Sequence, residues 1–212
     1  MQLNIQKLNG HWTEGFALDL HTVSSKPIKD TVIKKEIIDG KETEIHKEII
    51  LGWDTIRPEI AEHLFQLKYR SNRTHIETIA KEAANFLSSK GNWNLHKIIP
   101  MPPSETNRSF QPVYELAKAV GTLTKLYVDF NALKKLKSTS QLKSIEDSQQ
   151  RHEILKDAFD ISPGLLTGKN VLLFDDLYRS GETLNAACDI VKNKGKATNV
   201  YVLTITKTRS KR

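Results

Sequence analysis

Four apolar residues, Val171 to Phe174, run without interruption into two adjacent carboxylates, Asp175 and Asp176, and soon afterwards Ser180-Gly181 opens a segment with helical apolar spacing. A short continuous apolar run bounded by polar signals reads as a strand buried on both faces, and strands of that kind belong to parallel sheets covered by helices. This stretch therefore restricts the chain to α/β architectures. A purely structural strand rarely ends in two acids, so the end of this one is the first place to look for a ligand.

The rest of the chain supplies the partners such a strand needs. Arg57 to about Leu67 reads as a helix with Pro58 in its first turn, and a second helix follows from about Thr74 to Ser88. In the second, Ile76, Ile79, Ala80, Ala83, Phe86 and Leu87 recur at helical spacing and form a core stripe. The stretch "HKIIPMPPS" gives a short strand stopped by prolines, followed by a helix from roughly Gln111 to Val120 and a strand near Leu126 to Phe130. Next come the strand Val171 to Asp175, a helix Thr183 to Asn193 and a strand Asn199 to Thr206. Strands alternating with helices predict an α/β, Rossmann-like fold with a mainly parallel sheet flanked by helices.

Residues 1–55 have a different texture. There "HWTEGFALDLHTVSS" reads as a strand or hairpin, and "VIKKEIIDGKETEIHKEII" as two charged strands joined at an Asp39-Gly40 turn. The expected organisation is an N-terminal β-rich extension over residues 1–55 and a main domain over residues 56–212, with Trp12, Phe16 and Trp53 either forming a docking patch on an interaction module or, the favoured reading, covering the core. Lys134 to Arg151 is a polar stretch that fits neither helix nor strand by pattern.

Composition excludes several classes. With 212 residues, 38% hydrophobic and 27% charged, the chain is neither disordered nor a membrane protein by content. No stretch approaches about 18 uninterrupted apolar residues, and Met1 to Gly10 lacks the apolar core of a signal peptide. A cytoplasmic location is expected, with no membrane partner. The histidines show no paired spacing with each other or with the single Cys188, which reads as a packed core residue, so no zinc site is expected. The formal net charge of +7 favours phosphate-bearing partners, small ones included.

Asp175 and Asp176 present acceptor-only groups at the sheet rim, where ligands of open α/β folds bind. Neighbouring side chains on a strand point to opposite faces, so both acids address one ligand only if the strand ends there. The following residues, Arg179, Ser180, Gly181, Glu182 and Thr183, lead directly into a helix, whose first N–H groups make an anion site. Gly181 admits a positive φ, and the hydroxyls of Ser180 and Thr183 add donors. Acceptors for vicinal hydroxyls beside a cradle for a phosphate describe a ribose 5-phosphate. Two other readings use the same residue types. One is a nucleotide hydrolase with "LLFDD" as its acidic strand, but in "GLLTGKN" Gly164 and Gly168 are separated by three residues instead of four, and Asn170 replaces the required Ser or Thr. The other is a plain strand followed by a capped helix.

The segment Val171 to Leu184 resembles the signature of the type I phosphoribosyltransferases: four hydrophobic residues, two acids, two or three hydrophobic residues, then a Thr/Ser-Gly-x-Thr turn. The resemblance implies that fold, with Asp175 and Asp176 as catalytic residues on the ribose and Arg179 to Thr183 around the 5-phosphate of phosphoribosyl pyrophosphate. The stretch "IIPMPPSETNRSFQPVYELAKAV" resembles the ComF-type branch of that family, with Arg108-Ser109-Phe110-Gln111-Pro112 at the element that opens the next helix. This implies that Met101, Pro102, Pro103 and Ser104 face pyrophosphate, with Arg108, Lys143 and Arg151 as candidates to meet it. "TSQLKSIEDSQQRHEILKDAF" resembles the branch's flap segment and "EHLFQLKYRSNRTHIETIA" its upstream helix, so the resemblance runs from about Ile56 to the end. It further implies Mg²⁺ brought in by the ligand, with no metal held by the protein alone, and transfer of the phosphoribosyl group to an unidentified acceptor.

The chain also departs from that pattern. It has no cysteine-rich zinc ribbon, and Arg179 stands where 6-oxopurine transferases place an acidic base. A guanidinium cannot accept a proton, so that chemistry is disfavoured. Glu182 sets an acid beside the phosphate position. A second function class stays open: a non-catalytic nucleotide-sensing or DNA-associated protein of ComF type, acting in DNA uptake or mobile-element defence with a nucleic-acid or protein partner. The basic excess suits it, although no basic-aromatic interleaving is present. A homodimer is compatible with either class.

Overall fold

The computed structural model describes residues 1–38, 41–103, 110–136, 155 and 157–209. The predicted alternation of elements is present. In chain order the elements are β1 (Gln6–Lys7), β2 (Glu14–Leu20), β3 (Ser24–Ile38), β4 (Lys41–Ile56), α1 (Glu59–Tyr69), α2 (His75–Ser89) and β5 (Lys97–Pro100). They continue with α3 (Pro112–Thr124), β6 (Tyr127–Val128), β7 (Lys134–Lys135), β8 (Phe159–Asp160), β9 (Asn170–Tyr178), α4 (Glu182–Asn193) and β10 (Asn199–Lys207). The Asp39-Gly40 turn lies outside the described residues.

Six strands form the central sheet in the order β1-β2-β10-β9-β5-β6, and every neighbouring pair is parallel except β1 with β2. Its side chains alternate between two cores. Leu172 and Phe174 of β9, Leu203 and Ile205 of β10 and Leu18 of β2 pack against α1, α2 and α3. Val171 and Leu173, with Val200, Val202 and Ala17, face the opposite way, towards Leu184, Ala187, Cys188 and Val191 of α4. This double burial explains why β9 and β10 read as near-continuous apolar runs. Burial pushes the Cys188 thiol up to about 12, so it stays protonated and serves packing, as the sequence indicated.

The β-rich character of residues 1–55 takes two forms. Glu14–Leu20 enters the central sheet, pairing in parallel with β10 from Tyr201↔Glu14 to Lys207↔Leu20. Ser24 to Ile56 instead forms a long antiparallel hairpin whose two strands pair only with each other. Trp12 is buried and Phe16 packs between Phe86 and Trp93, as core cover requires. Trp53 corrects the expectation made for it: it lies on the hairpin, 59% exposed, away from any core.

The strand order fixes where a ligand site belongs. From β5 the chain crosses α3 to β6 on one side, and the chain later returns through β9 on the other side of β5, then proceeds outward to β10. The sheet therefore reverses its winding between β5 and β9. In open α/β sheets ligands bind outside the carboxyl ends of the strands at such a point. There β5 delivers Met101 and β9 delivers Asp175 and Asp176.

Candidate functional site

The acid pair stands in the middle of this edge. Strand pairing does not stop at the acids: β9 matches β10 through Leu177 and Tyr178, three residues past the expected end at Asp175. The alternation of side chains is thus maintained across the pair, and the two carboxylates have different surroundings. Asp176 is buried, 8% exposed, on the face covered by α1, where its Oδ2 accepts from the Lys68 ammonium at 2.7 Å. Burial pulls the Lys68 pKa down, but the Asp176 carboxylate, aided by Asp175, outweighs it and the net shift is upward. Lys68 is therefore a fixed cation.

Asp175 is half-buried, and its Oδ1 accepts from the N–H of Asp176 at 2.8 Å. Burial, followed by the negative charge of Asp176, pushes its pKa up to about 7, against the opposing pull of Lys68 and Lys135. An acid poised near neutrality can accept from hydroxyl donors or meet a cation, with release of a proton as it does so.

The proline-rich loop is pinned to this pair. The N–H of Met101 donates to the carbonyl of Phe174 at 2.8 Å, one residue before Asp175. Met101 is buried, while Pro102 and Pro103 are half-buried beside it. Of the other residues expected on the pyrophosphate side, Ser104, Arg108, Lys143 and Arg151 lie outside the described residues, as does most of the expected flap.

The turn into α4 closes the far side of the site. Gly181 has φ +85°, and a Cβ at that position would lie 2.6 Å from the Tyr178 hydroxyl, so both backbone and space require glycine. Tyr178 is itself held edge-on to Trp12, with ring centroids 6.3 Å apart. Gly181 is also the N-cap residue, and its carbonyl accepts the first intrahelical bond, from Asn185 N–H at 2.8 Å. No side chain caps this helix. Ser180 and Thr183 therefore do not act as caps, and the helix starts from Gly181 instead. Arg179 and Ser180 are exposed, and Glu182 and Thr183 half-buried, in the first turn where the helix dipole favours an anion. The "GLLTGKN" segment runs from a turn straight into β9, with no helix after it as a nucleotide-hydrolase phosphate loop requires.

Three further groups stand at this edge, of which the sequence marks Lys135 only as part of the basic cluster Lys134, Lys135 and Lys137. Lys68 closes α1, His21 follows β2, and Lys135 lies in β7. The Nδ1 of His21 is 3.0 Å from the Thr206 hydroxyl. Burial, then the charges of Lys68 and Arg57, lowers its pKa against the pull of Asp176. Lys68 lies in the stretch "EHLFQLKYRSNRTHIETIA" that resembles the upstream helix of the ComF-type branch, but nothing local shows that it pairs with Asp176.

The fold and the site thus define an open α/β protein whose acids, proline loop and anion-favouring helix terminus meet at one topological switch point. A hypoxanthine phosphoribosyltransferase from Staphylococcus aureus is similar over 65% of this chain and 67% of its own, with 15% sequence identity and a TM-score of 0.39. No family model matches the chain, and no curated protein matches it. Among the described residues no helix is long and apolar enough to cross a membrane.

Proposed function

We propose that this protein binds phosphoribosyl pyrophosphate, or a ribose 5-phosphate nucleotide, as a phosphoribosyltransferase-like protein of ComF type. The observation that supports this most is the placement of Asp175 ahead of the Gly181 turn at the β5/β9 switch point, with Asp176 on the opposite face held by Lys68. In this reading the N–H groups from Gly181 to Thr183 and the hydroxyls of Ser180 and Thr183 hold the 5-phosphate, with Arg179 adding charge. Asp175 accepts from a ribose hydroxyl, and Asp176, fixed by Lys68, sets the field beside it. Met101 to Pro103 form the wall on the pyrophosphate side, and Arg108, Lys143 and Arg151 are assigned to that side from sequence.

The donor set fits Mg²⁺ that arrives with the ligand. One carboxylate, Asp175, is poised near neutrality, while Asp176 is engaged by an ammonium, so Asp175 is the protein group that would meet a hard cation carried by the ligand. Such a cation neutralises charge on the departing group. In the transfer the C1–O bond to pyrophosphate breaks, the electron pair leaves with pyrophosphate, and C1 bonds to the acceptor. The protein's part is to orient the ribose and stabilise that charge.

Calorimetric titration with phosphoribosyl pyrophosphate and Mg²⁺ tests the reading. Asp175→Asn with Ser180→Leu is expected to weaken binding by at least about 100-fold, since it removes a charge-assisted acceptor and obstructs the turn. Affinity unchanged in that variant rejects the pocket. Binding without pyrophosphate release across a panel of acceptors favours the nucleotide-sensing alternative, which fits the engagement of Asp176 by Lys68.

A further inference from the structure

The hairpin of β3 and β4 carries an unusual load of exposed apolar side chains, including Ile33 at 57%, Ile37 at 79%, Ile50 at 57% and Trp53 at 59%. Among the described residues no sheet or helix stands behind this ribbon, so its own stability does not account for such residues. The register shows which face they share. Pro27 pairs with Trp53, Lys29 with Ile50, Thr31 with Glu48, Ile33 with His46 and Lys35 with Glu44, so these residues lie on one side of the ribbon, and Ile37 follows them by alternation.

On that face the charges are segregated by strand. The charged side chains contributed by β3 are Lys29 and Lys35, and those by the described part of β4 are Glu44 and Glu48. The opposite face shows no such division: Lys26, Asp30 and Lys34 mix on β3, Lys47 and Asp54 on β4. A surface basic along one strand, acidic along its neighbour and apolar between is complementary to itself. Its charges also cancel, which argues against nucleic acid as the partner even though the whole chain carries +7.

We propose that this face of the β3–β4 hairpin joins two copies of the chain into a homodimer. A twofold axis parallel to the strands lays β3 of one copy over β4 of the other. Lys35 then meets the Glu44 of the second copy, and Pro27 meets its Trp53, at the same level along the ribbon. The Lys29–Glu48 pair, 2.8 Å apart within one copy, becomes part of a cluster shared by both. Two strands about 45 Å long and roughly 10 Å across bury on the order of 900 Å² between two copies, below the size of stable specific interfaces and in the range of weak, transient ones. The dimer is therefore expected to be weak, with a dissociation constant on the order of 10 µM.

Sedimentation equilibrium on the full chain tests this. Wild type is expected to dimerise in that range. Lys29→Glu with Lys35→Glu makes the face wholly acidic, and Glu44→Lys with Glu48→Lys makes it wholly basic. Each double variant alone is expected to associate at least about 30-fold more weakly, and an equimolar mixture to form a heterodimer at least as tight as wild type. Circular dichroism reports that both variants are folded. A wild type that stays monomeric at about 200 µM, or double variants that associate as wild type does, overturns the proposal and assigns the face to a different protein.

Discussion

The edge of the central sheet and the hairpin arm are both built from β-strands, and their anomalies are opposite. At the sheet edge the misplaced residues are charged: Asp176 and Lys68 sit in a region whose neighbours are Phe174, Leu203 and Ile205, buried completely. On the arm the misplaced residues are apolar, with Ile33, Ile37, Ile50 and Trp53 turned to water. Burying charge is costly unless it is paired, and exposing apolar surface forgoes burial free energy. At the edge Asp176 and Lys68 offset each other, and the cost left unmet is the charge of Asp175, whose pKa burial pushes up to about 7; on the arm it is the exposed apolar surface. At the edge the missing compensation has the shape of a polar ligand; on the arm it has the shape of another apolar face.

The contrast is broken most severely by removing one ion from each region. Lys68→Met leaves the Asp176 carboxylate buried without its ammonium and is expected to cost roughly 2–4 kcal/mol in urea unfolding. Lys29→Met removes the equivalent partner of Glu48 on the arm, where both side chains are more than half exposed, and is expected to change monomer stability by no more than about 0.5 kcal/mol. Equal losses would show that the edge pair is as solvated as the arm pair. Asp175→Asn sharpens the comparison through pH. The folded pKa of Asp175, about 7, lies above its usual carboxylate value, so the stability it contributes is present below about pH 4 and is lost as pH rises through 7. The Asn variant is therefore expected to be more stable than wild type at pH 8, by roughly 1–3 kcal/mol after allowance for its partial exposure, and equal to it near pH 3.5. The same variant is expected to lose the ribose-phosphate ligand, a gain in stability at the expense of binding.

The contrast between the two regions also marks what sequence reveals. The element order, the parallel sheet and the core stripe on α2 follow from periodicity, which is local and strong. The Gly181 turn was legible because only glycine suits that backbone. The division of labour between Asp175 and Asp176 was not legible, because it depends on how far strand pairing continues, and β10 sets that by holding β9 as far as Tyr178. Lys68 was missed for a related reason: its partner is remote in sequence and the two meet only through packing of α1 on β9. On the arm the charged strands were read, yet Trp53 was assigned to core cover, because an aromatic in a strand looks the same in sequence whether its face meets a core or water.

Gly181→Ala has an intermediate expected effect. The positive φ costs any residue with a Cβ about 1 kcal/mol, and the Tyr178 hydroxyl 2.6 Å from the new methyl must also move. A total of roughly 1–2 kcal/mol is expected by thermal unfolding, with affinity for phosphoribosyl pyrophosphate lowered because the first N–H groups of α4 are displaced. A variant with wild-type stability but lost affinity assigns the turn to ligand alone; one with lost stability and normal affinity argues against a phosphate there.

The smallest effect is expected on the arm, and it is informative because it is small. Ile33 is 57% exposed and lies opposite His46 on a ribbon that, among the described residues, pairs with no other strand. In a core, truncating an isoleucine costs about 2–5 kcal/mol. For Ile33→Ser, measured at a concentration well below the dimer's dissociation constant, the expected change is within about 0.5 kcal/mol, because the side chain is already largely hydrated in the monomer. Repeated well above that constant, the same substitution is expected to lower the unfolding midpoint of a protein whose stability depends on concentration, because it removes apolar area that only the second copy covers. A penalty independent of concentration would place Ile33 against its own chain and remove the distinction between arm and sheet from which the pairing of two arms was inferred.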